Sequence, residues 1–368
     1  MKKKIIASVL TGMMVLGLAA CGSSASQTST TASTAPAAST ESAASETAAP
    51  AASAESAASE TAASAEVSDL GDVTLIMSTR DQFLSTLEGA AKDYADSLGI
   101  TLTTQDAQND TNKMLQFIET AANAGQKACI VNMVDPTTTS ACIEAAGDMK
   151  LVFVNRVPSD ITELTDNAVC VTSDERLAGT YQGEYLAKYF TEKGQTDVKY
   201  LMLSGNLGMT NTTQRTEFAI SSMNDNGLNA TEATAPVVCE WDRAEAMNQM
   251  STLIASGLEY DCIISNNDEM ALGAIEALQN ANIDPSTIPI VGIDATADGC
   301  AAVVNGTLAM TVFQDPVGQG TGAIQACINL VNGDALNAGT SFDIDSETGH
   351  ILWVPFEPVT AENVADYQ

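Results

Sequence analysis

Seven short apolar runs in this chain end directly in carboxylates, amides or guanidinium groups. One run is followed by Ser78-Thr79-Arg80-Asp81-Gln82-Phe83 and another by Asn155-Arg156. Two more lead into Ser204-Gly205-Asn206, with Met209, Asn211 and Arg215 just beyond, and into Glu240-Trp241-Asp242-Arg243. The remaining three end in Asn266-Asn267-Asp268, in Asp294 and in Gln314-Asp315. Asp and Asn bind hydroxyls in planar, paired geometry, and Arg supplies a rigid fork of donors. Phe83 and Trp241 offer flat faces for the C–H surface of a sugar ring. The chemistry suits an uncharged polyol.

Each loop also has a plainer account. Asn267 or Asp268 lies just before the helical spacing of Met270 to Leu278, so either residue serves as an N-cap. Recurrence favours a site, because the carboxyl ends of strands in an open α/β sheet border the ligand crevice. Trp241 is one of two tryptophans and stands among charges, which favours a site over a core position. On this reading Asn267 faces the ligand and Asp268 caps the helix. Gly318-Gln319-Gly320-Thr321-Gly322 lacks the glycine spacing of a dinucleotide loop and reads as small residues for close helix packing. The single histidine, His350, argues against a histidine triad or a His-rich metal site. No catalytic residue, metal or cofactor is expected.

The elements that must position these residues alternate. Val73 to Met77 reads as a strand, followed by a helix with Leu84, Leu87, Ala91, Tyr94 and Leu98 on one face. Further strands read at Ile100–Thr103, Cys129–Val131, Leu151–Val154 and Val169–Val171. A second cycle runs through strands at Lys199–Leu203, Pro236–Val238, Cys262–Ile264, Ile288–Ile293 and Leu308–Phe313. Repeated βα units predict parallel sheets with right-handed crossovers. The strands are too many for one sheet, so the fold class is α/β with two doubly wound, Rossmann-like lobes.

The ends and composition narrow the setting. Lys2 to Lys4 precede an apolar stretch, Ile5 to Leu18, and then Leu18-Ala19-Ala20-Cys21. This looks like a bacterial lipobox: residues 1–20 as a signal peptide and Cys21 as the lipidated N-terminus. Residues 21–68 are almost only Ser, Ala, Thr, Glu and Pro, which cannot bury a core, and read as a disordered tether. The 368-residue chain carries a formal net charge of −32, which argues against nucleic acid as a partner. Seven cysteines follow Cys21 without a CxxC, and read as buried free thiols.

Several motifs in one order resemble the bacterial sugar-binding proteins of the ribose/galactose type. They are Asp81-Gln82-Phe83-Leu84-Ser85, Val131-Asn132-Met133-Val134-Asp135-Pro136, Phe153-Val154-Asn155-Arg156, Trp241-Asp242, Asn266-Asn267-Asp268-Glu269-Met270-Ala271 and Gly292-Ile293-Asp294-Ala295. The nearest branch is the galactose/glucose-binding one that serves the methyl-galactoside ABC transporter. The resemblance implies Asp81, Asn155, Arg215, Asn267 and Asp294 as hydrogen-bonding residues, beside Arg156, with Phe83 and Trp241 as the stacking pair. Met209 and Asn211 stand where that branch has His and Asp, and Gln314 where it has Asn, as ribose binders do. The family's calcium loop would fall near Thr191 to Val198, which lacks the ligand pattern, so no calcium is expected there.

The resemblance also implies a three-crossing hinge near Ser173-Asp174, Gln314-Asp315 and Trp353-Val354-Pro355. One lobe then comprises residues 69–173 and 315–353, the other 174–314 and 354–368. The expected function is a monomeric, lipid-anchored solute-binding protein. It would hand a galactose- or glucose-like monosaccharide to the permease and ATPase of an ABC importer. The alternative is a sensor that presents its sugar to a chemoreceptor or kinase.

Overall fold

The computed structural model describes residues 70–368. The signal peptide, Cys21 and the residues of the expected tether lie outside the described residues. In chain order the elements are β1 (Val73–Met77), α1 (Gln82–Ser97), β2 (Leu102–Asp106), α2 (Thr111–Asn123), β3 (Ala128–Val131), α3 (Thr139–Ala146), β4 (Lys150–Val154) and β5 (Ala168–Thr172). Next come α4 (Glu175–Glu192), β6 (Asp197–Ser204), α5 (Thr210–Asp225), β7 (Asn229–Glu232), β8 (Val237–Val238), α6 (Arg243–Ser256), β9 (Cys262–Ser265), α7 (Asp268–Asn280), β10 (Ile290–Val291) and α8 (Ala297–Val304). The last are β11 (Thr311–Gln314), α9 (Pro316–Asn332), β12 (Asp343–Ile344), β13 (Ile351–Trp353) and β14 (Phe356–Val359).

Two largely separate sheets result. A seven-stranded sheet has the order β12-β13-β5-β4-β3-β1-β2, parallel except for the β12–β13 pair. A five-stranded parallel sheet has the order β10-β9-β6-β7, with β8 also on β6. Strands β1, β4, β5 and β9 are buried along nearly their whole length because helices cover both faces, so they read as continuous apolar runs. Each sheet has an apolar cluster on either face. Leu75, Leu87, Val152 and Ile324 mark one side of the first sheet, and Ile118, Val131, Phe153 and Ile351 the other. The lobes are doubly wound, as the alternation of elements requires.

Three passages of chain join the sheets. β5 leaves the first sheet and leads through Ser173-Asp174 into α4, which packs on α5. β11 leads through Asp315 into α9, which returns to pack on α1. β13 belongs to the first sheet and β14, two residues later, pairs antiparallel with β11. The run read as a strand, Leu308–Phe313, bridges in parallel to the second sheet at Val291–Met310 and Asp294–Phe313, and its regular ladder, with β14, begins at Thr311. Leu308 packs in the apolar cluster on one face of the second sheet. β2 likewise starts at Leu102 rather than Ile100, since Gly99 adopts a left-handed turn (φ 72°) before it. Polar or very short strands, among them Asn229–Glu232 and Asp343–Ile344, carry too little apolar pattern to be read from sequence.

Close helix packing depends on small residues. A methyl on Gly183 of α4 would lie 2.4 Å from the Ala219 carbonyl oxygen on α5, and one on Gly320 of α9 2.6 Å from that of Leu87 on α1. Gly89 of α1, by contrast, faces open space. Gly183→Ala is therefore expected to lower unfolding stability in urea by about 1–3 kcal/mol through overpacking. Gly89→Ala should be neutral or stabilising, by up to roughly 1 kcal/mol. Equal effects of the two substitutions would contradict this packing account.

Candidate ligand-binding site

The site forms where the carboxyl ends of strands from both sheets face each other. Asp81 follows β1 and caps α1, accepting from the Leu84 N–H at 2.7 Å. Asn155 follows β4 with a left-handed backbone (φ 68°). Its side chain belongs to a buried polar chain. Ser78 Oγ donates to Asn132 Oδ1 (2.5 Å), Asn132 Nδ2 to Asn155 Oδ1 (3.3 Å), Asn155 Nδ2 to Gln319 Oε1 (3.2 Å), and Gln319 Nε2 to Ser173 Oγ (3.0 Å). This chain ties the ends of β1, β3 and β4 to the first crossing and to α9. Arg156 is buried and donates to the Met133 carbonyl oxygen at 2.7 Å.

The opposite wall is organised by Arg215, which is 3% exposed. Its Nε donates to Glu175 Oε2 (2.5 Å), Nη1 to the Asn266 carbonyl oxygen (2.7 Å) and Nη2 to Gln314 Oε1 (3.2 Å). Asp294 Oδ1 lies 3.7 Å from Nη1. The guanidinium sits near the rings of Trp241 and Phe356, 5.8 and 5.9 Å from their centroids. Trp241 itself has a left-handed backbone (φ 68°), and its indole fills the space above Gly205, where a methyl would lie 2.1 Å from the ring.

Burial decides the electrostatics. It raises the carboxyl pKa of Asp81, partly offset by the Leu84 N–H and by Arg156. It raises Asp294 well above the carboxylate range, against the pull of Arg215. It pushes Arg156 down to about 10, with Asp81 opposing. Burial also works against the charge of Arg215, but Glu175 and Asp294 outweigh it and the pKa is raised. Arg215 thus carries its charge between Glu175 and Asp294, whereas Arg156 is held by the Met133 and Val134 carbonyl oxygens and only feels Asp81.

Ten of the eleven residues singled out from sequence line one inner pocket: Asp81, Phe83, Asn155, Arg156, Asn211, Arg215, Trp241, Asn267, Asp294 and Gln314. The eleventh, Met209, does not line it. Met209 is buried at the N-cap position of α5, so its side chain packs rather than borders the pocket. Leu84 lines it unforeseen. Two buried donors of the wall, Trp241 Nε1 and Gln314 Nε2, find no partner among the described residues. Buried polar groups are normally paired, so such donors mark where a ligand's acceptors belong.

Comparison with known proteins identifies this arrangement. Residues 73–335 match the family model described as "Periplasmic binding protein domain". The chain belongs to the periplasmic binding protein family. A putative rhizopine-binding protein of Rhizobium meliloti is 34% identical, over 78% of this chain and 89% of its own length. The D-galactose/methyl-galactoside binding periplasmic protein of Haemophilus influenzae is 29% identical, over 73% of this chain and 82% of its own. The crystal structure of an ABC transporter solute binding protein from Bacillus halodurans with bound myo-inositol is 29% identical. It has a TM-score of 0.70, covering 81% of this chain and 97% of that one. This periplasmic binding protein is therefore a sugar-binding type of solute-binding protein rather than an enzyme, and extracytoplasmic. Among the described residues no group of three or more His, Cys, Asp or Glu could hold a metal, and the seven cysteines there are free and buried.

The helix cap falls one residue earlier than expected. Asn267, read as facing the ligand, lines the pocket and is also the N-cap of α7: its Oδ1 accepts from the Met270 N–H at 3.0 Å. Asp268, expected as the cap, is fully buried behind the site instead. It accepts from Thr311 Oγ1 (2.7 Å), the Thr296 N–H (2.9 Å) and Thr296 Oγ1 (3.3 Å). Gly292 and Gly299 leave room for it, since a methyl on either would meet its oxygens within 2.2 Å. Asp268 thereby braces the segment in which Asp294 (φ 120°) and Ala295 (φ 49°) hold a strained backbone. Glu175, the partner of Arg215, was also missed. It lies 40 residues away in sequence, and no local pattern joins the two.

Burial raises the Asp268 pKa to about 7 despite these hydrogen bonds. A carboxyl that holds its proton more tightly when folded favours the fold below its unfolded pKa of about 4, and that contribution is lost as pH rises to about 7. Asp268→Asn cannot titrate. The difference in unfolding stability, wild type minus variant, should fall by up to roughly 1.4 kcal/mol per pH unit between about pH 4.5 and 7. A difference that stays constant with pH, measured by thermal and urea unfolding, would refute this.

Proposed function

We propose that this protein captures one uncharged cyclic polyol, a galactose- or glucose-like aldopyranose, between its lobes and delivers it to the permease and ATPase of an ABC importer. The observation that carries this reading is the composition of the inner wall. Carboxylates from both sheets, amides, two compensated guanidinium groups and two unpartnered buried donors suit hydroxyls that both donate and accept. Phe83 and Trp241 supply the flat faces. The pocket holds only about 30 Å³ in this conformation, room for one or two waters. A ring therefore enters only when the lobes part, and the closed form is favoured because it alone touches the ligand from both sides. The three crossings are proposed as the hinge, with lobe boundaries at 173/174, 314/315 and 353/354.

A second reading makes the ligand a cyclitol. It is favoured by the myo-inositol in the relative from Bacillus halodurans and by the departures at the pocket residues Asn211 and Gln314 from the galactose/glucose pattern. Titration calorimetry with galactose, glucose, xylose, ribose and myo-inositol decides between the two, with a Kd near micromolar (about −8 kcal/mol) expected for the true ligand. If none of them binds, the proposal fails. Trp241→Ala should weaken the bound sugar at least tenfold, and because the indole also packs over Gly205 the melting temperature should fall too. Trp241→Phe, which keeps a flat ring, should retain most of the affinity; unchanged affinity in Trp241→Ala would make the tryptophan structural only.

We further propose that Cys21 carries a lipid that anchors the protein, as a monomer, to the outer face of the cell membrane. Cys21→Ala should move the protein from the membrane fraction to the medium or periplasm, and an unchanged membrane fraction would refute the anchor. A sensory role would instead show as lost signalling with intact uptake in a deletion strain.

A further inference from the structure

Next to the inner pocket lies a much larger chamber of about 710 Å³. Asp81, Arg156 and Trp241 line both cavities, so the two meet at a neck between the end of β1 and β4 on one side and the indole on the other. In this one conformation the inner pocket has the volume of one or two waters, while the chamber beside it stays open. A volume of this size is in the range that holds a ligand of ring size or more.

The chamber wall has a definite chemistry. Trp241 is its only aromatic residue, and Thr79, Asn109 and Asn206 bring hydroxyl and amide groups from both lobes. Its two cations are already engaged. Arg80 pairs with Glu88 (2.6 Å) and Asp106 (2.9 Å), and Arg156 turns to the Met133 carbonyl oxygen. Glu240, Asp242 and Glu245 leave the other wall acidic. Such a surface can hydrogen-bond a hydrophilic group. It repels an anion, and it offers little apolar area to a hydrocarbon aglycone.

Building on the proposed polyol site, we infer that the chamber is a second subsite. The protein takes polyols that carry a hydrophilic, non-anionic substituent: a glycoside or a disaccharide whose first ring fills the inner pocket and whose second lies beyond Trp241. A carbon that faces the neck can bear this substituent without preventing closure.

The test uses the mature chain and calorimetry. The probes are the monosaccharide or cyclitol found to bind, its mono-O-methyl derivatives, the disaccharides that extend it from the tolerated position, and its phosphate ester at that position. At least one methyl derivative and one disaccharide should bind within about threefold of the parent, and the phosphate ester at least tenfold more weakly. Asn206→Trp, which fills the chamber and leaves the inner pocket alone, should weaken the disaccharide at least tenfold and the parent less than twofold. Glu245→Gln should recover part of the phosphate's loss. If the parent binds but no substituted form does, or if Asn206→Trp weakens both equally, the chamber is only the entrance and the inference fails. If neither parent nor extended ligands bind, the polyol reading itself falls first.

Discussion

Burying one guanidinium group constrains most of this site. Arg215 projects from α5 into a place almost closed to water, where an unmatched charge is prohibitive. Its partners come from four parts of the chain: Glu175 at the start of α4, the Asn266 carbonyl after β9, Asp294 after β10 and Gln314 at the end of β11. The ends of three strands and the exit of one crossing are thus held to a single charge, and the ligand wall inherits their positions.

The first sheet solves the same task without a buried ion pair. Its polar chain from Ser78 through Asn132, Asn155 and Gln319 to Ser173 is made of neutral groups, each donating to the next. Networks of this kind are rigid when every member is satisfied. Its last two members lie beside the passages between the sheets, since Ser173 is at one crossing and Gln319 is in the first turn of α9 just beyond another. The pocket wall and the crossings are therefore one connected structure on this side.

Much of the fold was readable in advance, because buried parallel strands and amphipathic helices leave strong local patterns. Strands β1, β3, β4, β5 and β9 are nearly pure apolar runs, and their polar ends located the cleft. β11 was read within Leu308–Phe313, whereas the polar β7, the edge β12 and the short β14 left no such trace. Their strand character comes from a neighbour's hydrogen bonds, and not from their own side chains.

The sequence by itself determined which residue types line the inner pocket, because each polar cluster directly follows an apolar strand and must emerge at the same sheet edge. It could not decide what each cluster member does there. Asn267 and Asp268 are adjacent and similar, yet one caps a helix at the pocket wall and the other is buried behind it against Thr296 and Thr311. Met209 precedes the same helix as Asn211 and is turned into packing. Glu175 becomes the counter-charge of Arg215 only once α4 and α5 are packed through Gly179 and Gly183. Such roles depend on the direction of a side chain relative to distant partners, and tertiary packing alone sets that direction.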